Sequence, residues 1–226
     1  IPYLRRWDKR AAARVHHFIA ISTDIQQRIK QFYGRDSEII FPPVEVQERF
    51  IPVQKHENYF LSLGRLVPYK RVDLIVEACT RLNLPLKVGG TGRDLERLQS
   101  IAGSSVEFLG FVPDKDLPEL FARCKAFIFP GMEDFGITPV QAQAAGRPVI
   151  AYAGGGALDT VIPGKTGVLF KEQSIECLME TLQNFNADDY NPALIRQHAL
   201  QFDSRIFEQK ITAYVNRAWM EWKADK

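Results

Sequence analysis

Short apolar runs alternate with segments of helical periodicity from Tyr59 onward. The runs YFLSL, LPLKVGG and SVEFLGF are followed by the amphipathic segments RVDLIVEACTRL, RDLERLQSIA and KDLPELFARC. Three further runs, AFIFPG, PVIAYAG and GVLF, each precede a helix or a turn. Such alternation is typical of βαβ units, and strands that are apolar throughout are typical of a sheet covered by helices on both faces. The pattern predicts an α/β fold with a doubly wound parallel sheet of about six strands over residues 58–185.

A different unit precedes this sheet. It comprises a basic helical segment, YLRRWDKRAAARV, a strand, HFIAIS, and a second helix. Thr23 with Gln26 three residues later forms the pattern of a capping box, which predicts the start of that helix, and Gly34 predicts its end. The strand and helix signals therefore predict a small unit of its own ahead of the sheet.

The segments on either side of the sheet domain differ in pattern. Pro42 and Pro43 restrict the chain to extended conformations, and the polar stretch from there to about Asn58 predicts a linker. Apolar residues at helical spacing between Ser204 and Lys223 predict a long helix with an apolar face. That face requires a partner surface.

Glycine recurs in the loops that follow the predicted strands. Ligands of open parallel sheets bind beyond the carboxyl ends of the strands, and glycine allows the backbone to approach a ligand closely. These loops contain Gly64-Arg65, Gly89-Gly90-Thr91-Gly92, Phe111-Val112-Pro113, Gly131 to Thr138, and Gly154-Gly155-Gly156. The functional site is expected among them.

The fourth of these loops carries an acidic pair, Glu133 and Asp134, before a predicted helix. Pro139 suits the first position of that helix, which makes Thr138 the predicted N-cap. The free N–H groups of residues 136–138 and the positive end of the helix dipole would then face the crevice and attract anions or polarised oxygens. The acidic pair either binds ligand hydroxyls or is a solvated turn, and spacing alone leaves both open.

Cations cluster at the end of the first strand of the sheet. Arg65 follows Gly64, and Lys70 and Arg71 precede the first helix of the domain. Arginine can bind phosphate oxygens bidentately and lysine acts as a point charge, so the cluster could neutralise a diphosphate without a metal. Ordinary surface basicity is the alternative.

Composition and charge exclude several classes of function. The chain has 226 residues, 46% of them hydrophobic, enough for a full core. Lys and Arg number 29 against 27 Asp and Glu, a net charge of +2, which gives no footprint for nucleic acid. No apolar stretch approaches the roughly 18 residues that span a bilayer, and the start lacks a signal sequence, so a cytoplasmic protein is expected.

The cysteines and histidines indicate no covalent or metal chemistry. Cys79, Cys124 and Cys177 are odd in number and each lies in an apolar stretch, which predicts reduced core thiols. The histidines show no metal-ligand spacing and no Ser, His and Asp constellation, so we expect them in structural or surface roles; they are His16, His17, His56 and His198. Neither a metal nor a cofactor is expected.

In their combination and order, these motifs resemble the retaining glycosyltransferases of family 4, which have the GT-B fold. The stretches that carry the resemblance are SLGRLVPYKRVDLIVEA, GGTGRDLERL, VEFLGFVPDKDLPELFARC and AFIFPGMEDFGITPVQAQAAGRPVIAYAGGGALDTVIPGKTGVLF. The opening section, RVHHFIAISTDIQQRIKQFYGRDSEIIFPPV, is similar to the end of the family's amino-terminal lobe. Within the family, the chain looks most like mannosyl or glucosyl transferases of bacterial surface polysaccharide assembly.

The resemblance implies a division of the chain and a donor substrate. Residues 1–42 would be a remnant of the amino-terminal, acceptor-side lobe, and residues 43–202 a Rossmann-like domain that binds a UDP-sugar or GDP-sugar. Residues 203–226 would be a helix that crosses back to the amino-terminal lobe. The implied reaction transfers a hexose with retained configuration to a saccharide or lipid-linked acceptor, and a lipid-linked acceptor would bring the protein to the inner face of the membrane.

The resemblance also implies roles for individual residues. Arg65 and Lys70 would clamp the donor diphosphate, and Glu133 would bond hydroxyls of the transferred sugar and stabilise charge at the reacting carbon. Val112 would meet the base through its backbone. The complete donor-binding set is Gly64, Arg65, Lys70, Gly90, Thr91, Val112, Glu133, Phe135, Gly136, Ile137, Thr138 and Gln141.

One position departs from the family pattern. Gln141 stands where relatives usually carry a second glutamate that holds the nucleotide ribose. Glutamine keeps hydrogen-bonding capacity but loses the charge, which predicts weaker ribose binding or an altered nucleotide preference. Thr138 and Gln141 also fit a capping box, and both roles are expected together.

The chain starts at Ile1 without an initiator methionine, which suggests a fragment that lacks most of the acceptor lobe. Such a fragment would bind donor nucleotide but transfer sugar slowly or not at all. Two other functions remain open, a non-catalytic nucleotide-sugar-binding module and a sugar-nucleotide epimerase of GT-B fold. A nicotinamide-dependent dehydrogenase is disfavoured, because Leu95 stands where the third glycine of its fingerprint would follow Gly90 and Gly92.

Overall fold

Each apolar run predicted as a strand of the sheet forms one in the computed structural model, which describes residues 2–53 and 55–224. Ile1, with which the predicted first division begins, and Asp225 and Lys226, with which the last one ends, lie outside the described residues. The strands are β1 (Ile19–Ala20), β2 (Glu38–Ile39), β3 (Phe60–Leu63), β4 (Leu86–Gly89), β5 (Val106–Gly110), β6 (Ala126–Phe129), β7 (Val149–Tyr152) and β8 (Gly167–Phe170).

Helices follow most of the strands. They are α1 (Pro2–Ala12), α2 (Thr23–Tyr33), α3 (Val46–Arg49), α4 (Val72–Arg81), α5 (Leu95–Ile101), α6 (Leu117–Arg123), α7 (Ile137–Ala144), α8 (Ala157–Thr160), α9 (Ile175–Asn184), α10 (Pro192–Ala199) and α11 (Ser204–Ala224). Short 3₁₀ turns cover Pro68–Lys70, Ala187–Asp189 and Leu200–Phe202.

The main sheet has six parallel strands in the order β5-β4-β3-β6-β7-β8. From β3 the chain adds β4 and β5 toward one edge of the sheet, and it then returns to the centre with β6 and adds β7 and β8 toward the other edge. The two central strands pair at Phe60 with Ala126, and their carboxyl ends open side by side. This order is that of a doubly wound sheet, whose ligand crevice lies where the direction of winding changes. The predicted fold class is confirmed.

The central strands of the sheet are buried on both faces, as their apolar runs predicted. In β6 all four side chains are buried, and successive residues point to opposite faces. Phe127 belongs to a core cluster with Phe121, whereas Ile128 belongs to the cluster on the other face with Ile75. Helices on both faces therefore exclude water from the sheet and fix the strand ends that form the crevice.

The segment predicted as a linker is instead part of the core. Val46 and Phe50 are fully buried, and the Phe50 ring packs against Phe121 with centroids 5.8 Å apart. Arg196 donates to the Phe50 carbonyl, and Arg147 donates to the Val53 carbonyl at 2.6 Å. The prediction was wrong because the two arginines lie 94 or more residues away in sequence, where local composition gives no signal.

Two predicted helix starts were also wrong. Ser22, not Thr23, is the N-cap of α2 and accepts from the Ile25 N–H at 3.2 Å. Gly136, not Thr138, precedes α7, with φ 86°. Glycine reaches this φ without strain, which allows the helix to start earlier than Pro139 suggested. The predicted end of α2 at Gly34 is confirmed, with φ 65°.

The unit before the sheet and the last helix lie together. β1 and β2 form a separate parallel pair, and the Tyr214 hydroxyl of α11 donates to the Phe18 carbonyl at 3.4 Å. Arg217 of α11 pairs with Glu38 of β2. The predicted long helix is thus present and contacts the amino-terminal unit, yet none of its residues is buried.

The cysteines follow the prediction in two cases of three. Cys79 and Cys124 are buried, and burial raises the pKa of each thiol to about 12. Cys177, near the start of α9, is only partly buried and packs against the edge of a core cluster. All three are free thiols. No described helix is long and apolar enough to cross a membrane.

Candidate functional site

Two adjoining cavities occupy the crevice at the carboxyl ends of β3 and β6. The first has a volume of about 490 Å³ and the second about 350 Å³. Leu63, Gly64 and Thr138 line both. Among the predicted site residues, the first cavity contains Gly64, Lys70, Glu133, Phe135, Gly136, Ile137 and Thr138, and the second contains Gly64, Arg65, Gly90, Thr91, Val112, Thr138 and Gln141. The structure therefore brings the whole predicted set together.

An ion pair between Lys70 and Glu133 lies in the wall of the first cavity. The two side chains are 19% and 22% exposed. Lys70 ends the 3₁₀ turn after β3, and the Gly131 backbone packs against it, since a Cβ on Gly131 would lie 3.1 Å from the Lys70 Cα. The missing side chain at Gly131 thus lets the two loops approach until cation and carboxylate meet.

The loop that carries Glu133 is supported from behind by the glycines after β7. Gly156 donates its N–H to the Glu133 carbonyl at 2.8 Å. A Cβ on Gly155 would lie 2.2 Å from that same carbonyl oxygen, and one on Gly156 would lie 2.2 Å from the Phe135 Cα. These glycines were expected to approach a ligand, but they serve close packing between two loops instead.

The amino terminus of α7 opens into the first cavity. Gly136 is its N-cap, and the N–H groups of Ile137 and Thr138 belong to the first turn, where helices leave backbone donors unsatisfied. Pro139 carries no N–H. Ile137, Thr138 and Glu133 all line this cavity. The site thus combines a carboxylate, a cation and a helix terminus that favours negative charge.

The second cavity is mainly apolar. Leu117, Phe121 and Val112 form part of its wall. Arg65 contributes a cation next to Gly64, which lines both cavities. Gln141 lines this cavity one turn into α7. Its predicted capping-box role is wrong, because the helix starts before Thr138 and the N-cap is a glycine.

Three residues that line the first cavity were not predicted from the sequence. Tyr69 lines the first cavity, and its hydroxyl accepts from Arg65 Nη2 at 3.2 Å. Its position in the sequence between Arg65 and Lys70, two predicted site residues, could have indicated that it belongs to the site. Ile21 and Pro42 reach the same cavity from the amino-terminal unit, and only the packing of that unit on the sheet domain could reveal them.

The side chains of the site suit the binding of phosphate and hydroxyl groups better than the binding of a metal ion. Within residues 2–53 and 55–224, no three His, Cys, Asp or Glu side chains come together in a way that could hold a metal ion. The four histidines lie away from both cavities. His198 is partly buried and contacts the Thr160 carbonyl at 3.0 Å, and burial lowers its pKa.

Relatives by sequence are sugar transferases. Residues 44–201 match the protein family described as Glycosyl transferases group 1. A segment of 118 residues is 36% identical to the GDP-mannose-dependent alpha-mannosyltransferase of Mycolicibacterium smegmatis, and this match covers 52% of the chain and 31% of that relative.

Solved structures with the same fold are glycosyltransferases of GT-B type. Sucrose-phosphate synthase from Thermosynechococcus elongatus superposes with a TM-score of 0.84 at 21% identity, over 98% of this chain and 63% of its own. Anabaena Alr3699/HepE, crystallised in complex with UDP and glucose, gives 0.82 at 21% identity, over 94% of this chain and 66% of its own. The chain thus spans between about one third and two thirds of the length of these three proteins. Because the family match covers most of the sequence, the chain belongs to the group 1 glycosyl transferases.

Proposed function

We propose that this chain forms the donor-binding part of a retaining hexosyltransferase that uses a nucleotide-diphosphate sugar. The observation that carries the proposal is the Lys70–Glu133 ion pair beside the amino terminus of α7. A cation and a helix terminus suit a diphosphate, and a carboxylate suits sugar hydroxyls. Family membership and the UDP and glucose bound in a structural relative support the same assignment.

The charges of the site would be redistributed when donor binds. The Lys70 ammonium and the Arg65 guanidinium would face the phosphate oxygens, and the Glu133 carboxylate would accept hydrogen bonds from the hexose. In the transfer step, the bond between the anomeric carbon and the phosphate oxygen breaks while the acceptor oxygen bonds to that carbon on the same face. The leaving phosphate takes the acceptor proton. Stabilising the departing diphosphate and the oxocarbenium-like sugar supplies most of the catalysis.

The second cavity would hold the nucleoside. Its apolar wall suits a base, and Val112 and Gln141 are positioned along it. A neutral Gln141 in place of a carboxylate would hold the ribose with fewer charged hydrogen bonds. The two cations of the site would take the place of a metal on the diphosphate.

The relatives indicate which donors and acceptors to test first. GDP-mannose and UDP-glucose are the first donors to test, since one relative is named for GDP-mannose and another was crystallised with UDP and glucose. The acceptor would be a saccharide or a lipid-linked saccharide, as in bacterial surface polysaccharide assembly. A lipid-linked acceptor would place the reaction at the inner face of the membrane.

Calorimetric titration of UDP, GDP and their hexose derivatives tests the proposal. Lys70→Met should weaken binding of the preferred diphosphate by about tenfold or more, because a charged hydrogen bond contributes on the order of 1.5–3 kcal/mol. Lys171→Met changes an exposed lysine outside both cavities and should leave the affinity unchanged. Absence of binding at millimolar nucleotide, or equal affinities for the two variants, would contradict the proposal.

A further inference from the structure

The residues that follow Glu133 contact parts of the chain outside the sheet domain. Asp134 Oδ1 accepts from Arg28 Nη1 of α2 at 3.0 Å. The Phe135 ring stacks on Phe41, which follows β2, with centroids 5.8 Å apart. The loop that carries Glu133 is therefore held by the amino-terminal unit as well as by its own domain.

A second contact orients the same helix. The Thr23 N–H at the start of α2 donates to Asp159 Oδ2 of α8 at 2.8 Å. A carboxylate at a helix amino terminus is favoured by the unsatisfied N–H groups and by the helix dipole. α8 directly follows Gly156, which hydrogen-bonds to the Glu133 carbonyl. Thus α2 is anchored on both loops that determine where Glu133 lies.

The Arg28–Asp134 pair reaches the first cavity from one side only. Asp134 lines that cavity next to Glu133, whereas Arg28 lies outside its wall. The interaction is of moderate strength, because both side chains are more than half exposed and solvent screens the pair.

We propose that Arg28 and Asp134 are positioning residues, which couple the docking of the amino-terminal unit to the placement of the Glu133 carboxylate on the donor sugar. This inference rests on the proposed function of the site. The contacts imply that the amino-terminal unit affects the hexose half of the donor and leaves the diphosphate half to Lys70 and Arg65.

Arg28→Met is the most direct test, because it breaks the pair without altering any residue of the cavity wall. The measured quantity is the ratio of the Kd for UDP-glucose to that for UDP, or of GDP-mannose to GDP, whichever pair the wild-type chain binds. We expect the ratio to rise about three- to fivefold, the upper part of the range that an exposed ion pair supports, with the Kd of the diphosphate alone unchanged. Arg28→Lys should restore the wild-type ratio.

Lys30→Met provides a matched control. Lys30 lies on the same helix and forms an exposed ion pair with Asp36 at 2.7 Å that does not reach the loop. Its loss should leave the ratio unchanged. Asp134→Asn should reproduce the effect of Arg28→Met, and the double variant should add nothing, since both substitutions remove the Arg28–Asp134 interaction. Arg28→Met also removes a longer pair with Asp24 on the same helix, at 3.8 Å, which does not reach the loop.

The outcomes separate this inference from the proposed function. If the wild-type chain binds no nucleotide sugar, the proposed function fails and this inference fails with it. If it binds and Arg28→Met leaves the ratio unchanged, or Lys30→Met raises it equally, the donor site stands and the positioning role is wrong. Additive effects of Arg28→Met and Asp134→Asn would also overturn the role.

Discussion

Strand β6 and helix α11 place apolar side chains in opposite environments. All four residues of β6 are buried, and Phe127 is fully enclosed, with Phe121 at a centroid distance of 5.4 Å. α11 is 21 residues long and none of its residues is buried. Its Trp219 is 51% exposed and stacks on Trp222 with centroids 4.9 Å apart.

The difference in burial predicts a difference in how much each element contributes to the free energy of unfolding. Hydrophobic stabilisation scales with the apolar area removed from water, so the aromatic residues of the sheet contribute far more to folding than those of α11. The site lies at the ends of the well-packed strands, where loops are held rigidly. The amino-terminal unit, which contacts α11, approaches this site through α2. Four sets of substitutions test this contrast, in order of decreasing effect.

Phe127→Ala should reduce the free energy of unfolding by about 3–5 kcal/mol, because it leaves a cavity in a fully packed aromatic cluster. Trp219→Ala on α11 should change it by less than about 0.5 kcal/mol, as expected for an exposed position. Urea unfolding of both variants measures the difference. Comparable losses would show that α11 is buried in the folded chain.

Two arginines extend the comparison to buried and exposed charge. Arg147 is 2% exposed and donates to the Ala122 and Val53 carbonyls, both at 2.6 Å. Arg147→Met should cost about 1–3 kcal/mol for each carbonyl left buried without a partner. Arg217→Met removes an exposed pair with Glu38 and should cost about 1 kcal/mol or less. Chemical denaturation separates the two, and equal costs would contradict the assigned burial.

His198 should make the sheet domain sensitive to acid. Its Nδ1 lies 3.0 Å from Gln201 Nε2 and its Nε2 contacts the Thr160 carbonyl, which suits a neutral ring. Burial lowers its pKa below the ordinary value, so the folded state binds fewer protons than the unfolded state. Its contribution to stability is therefore complete above about pH 6.5 and is lost as the pH falls below that value. His198→Gln should flatten the decrease in melting temperature between pH 7 and pH 5, and parallel profiles would contradict the assignment.

The ends of α2 and α4 provide the smallest contrast. Gly34 follows α2 with φ 65°, and Asn83 follows α4 with φ 50°. Asn83→Gly should stabilise the chain by a few tenths of a kcal/mol, since the left-handed conformation costs glycine nothing. Gly34→Ala should destabilise it by about 1 kcal/mol through backbone strain alone, because no atom lies within 4 Å of the added Cβ. Thermal melting checks both signs.

Local patterns predicted the sheet but not the packing between distant segments. The central strands were evident from runs such as AFIF, because a strand buried on both faces is apolar throughout. The segment around Phe50 was misassigned as a linker, since its apolar residues are sparse and Arg147 and Arg196 hold it from far along the chain. Periodicity carries no information about such partners.

The sequence predicted which loops form the candidate site but not how their side chains contact one another. Glycines and cations after the strands indicated the crevice, and the family resemblance supplied the roles of Lys70 and Glu133. Their direct pairing depends on close contacts of Gly131 and Gly155, which no spacing rule expresses. The start of α7 at Ile137 was missed, because proline is tolerated throughout the first turn of a helix and Pro139 is the third residue of this one.

A crystal structure of the chain with a bound nucleotide sugar tests the central claim most directly. The account predicts diphosphate oxygens within charged hydrogen-bond distance of Lys70 and Arg65, and hexose hydroxyls on the Glu133 carboxylate and the first turn of α7. A ligand bound elsewhere, or a diphosphate in the crevice that leaves the Lys70–Glu133 pair intact, would contradict it.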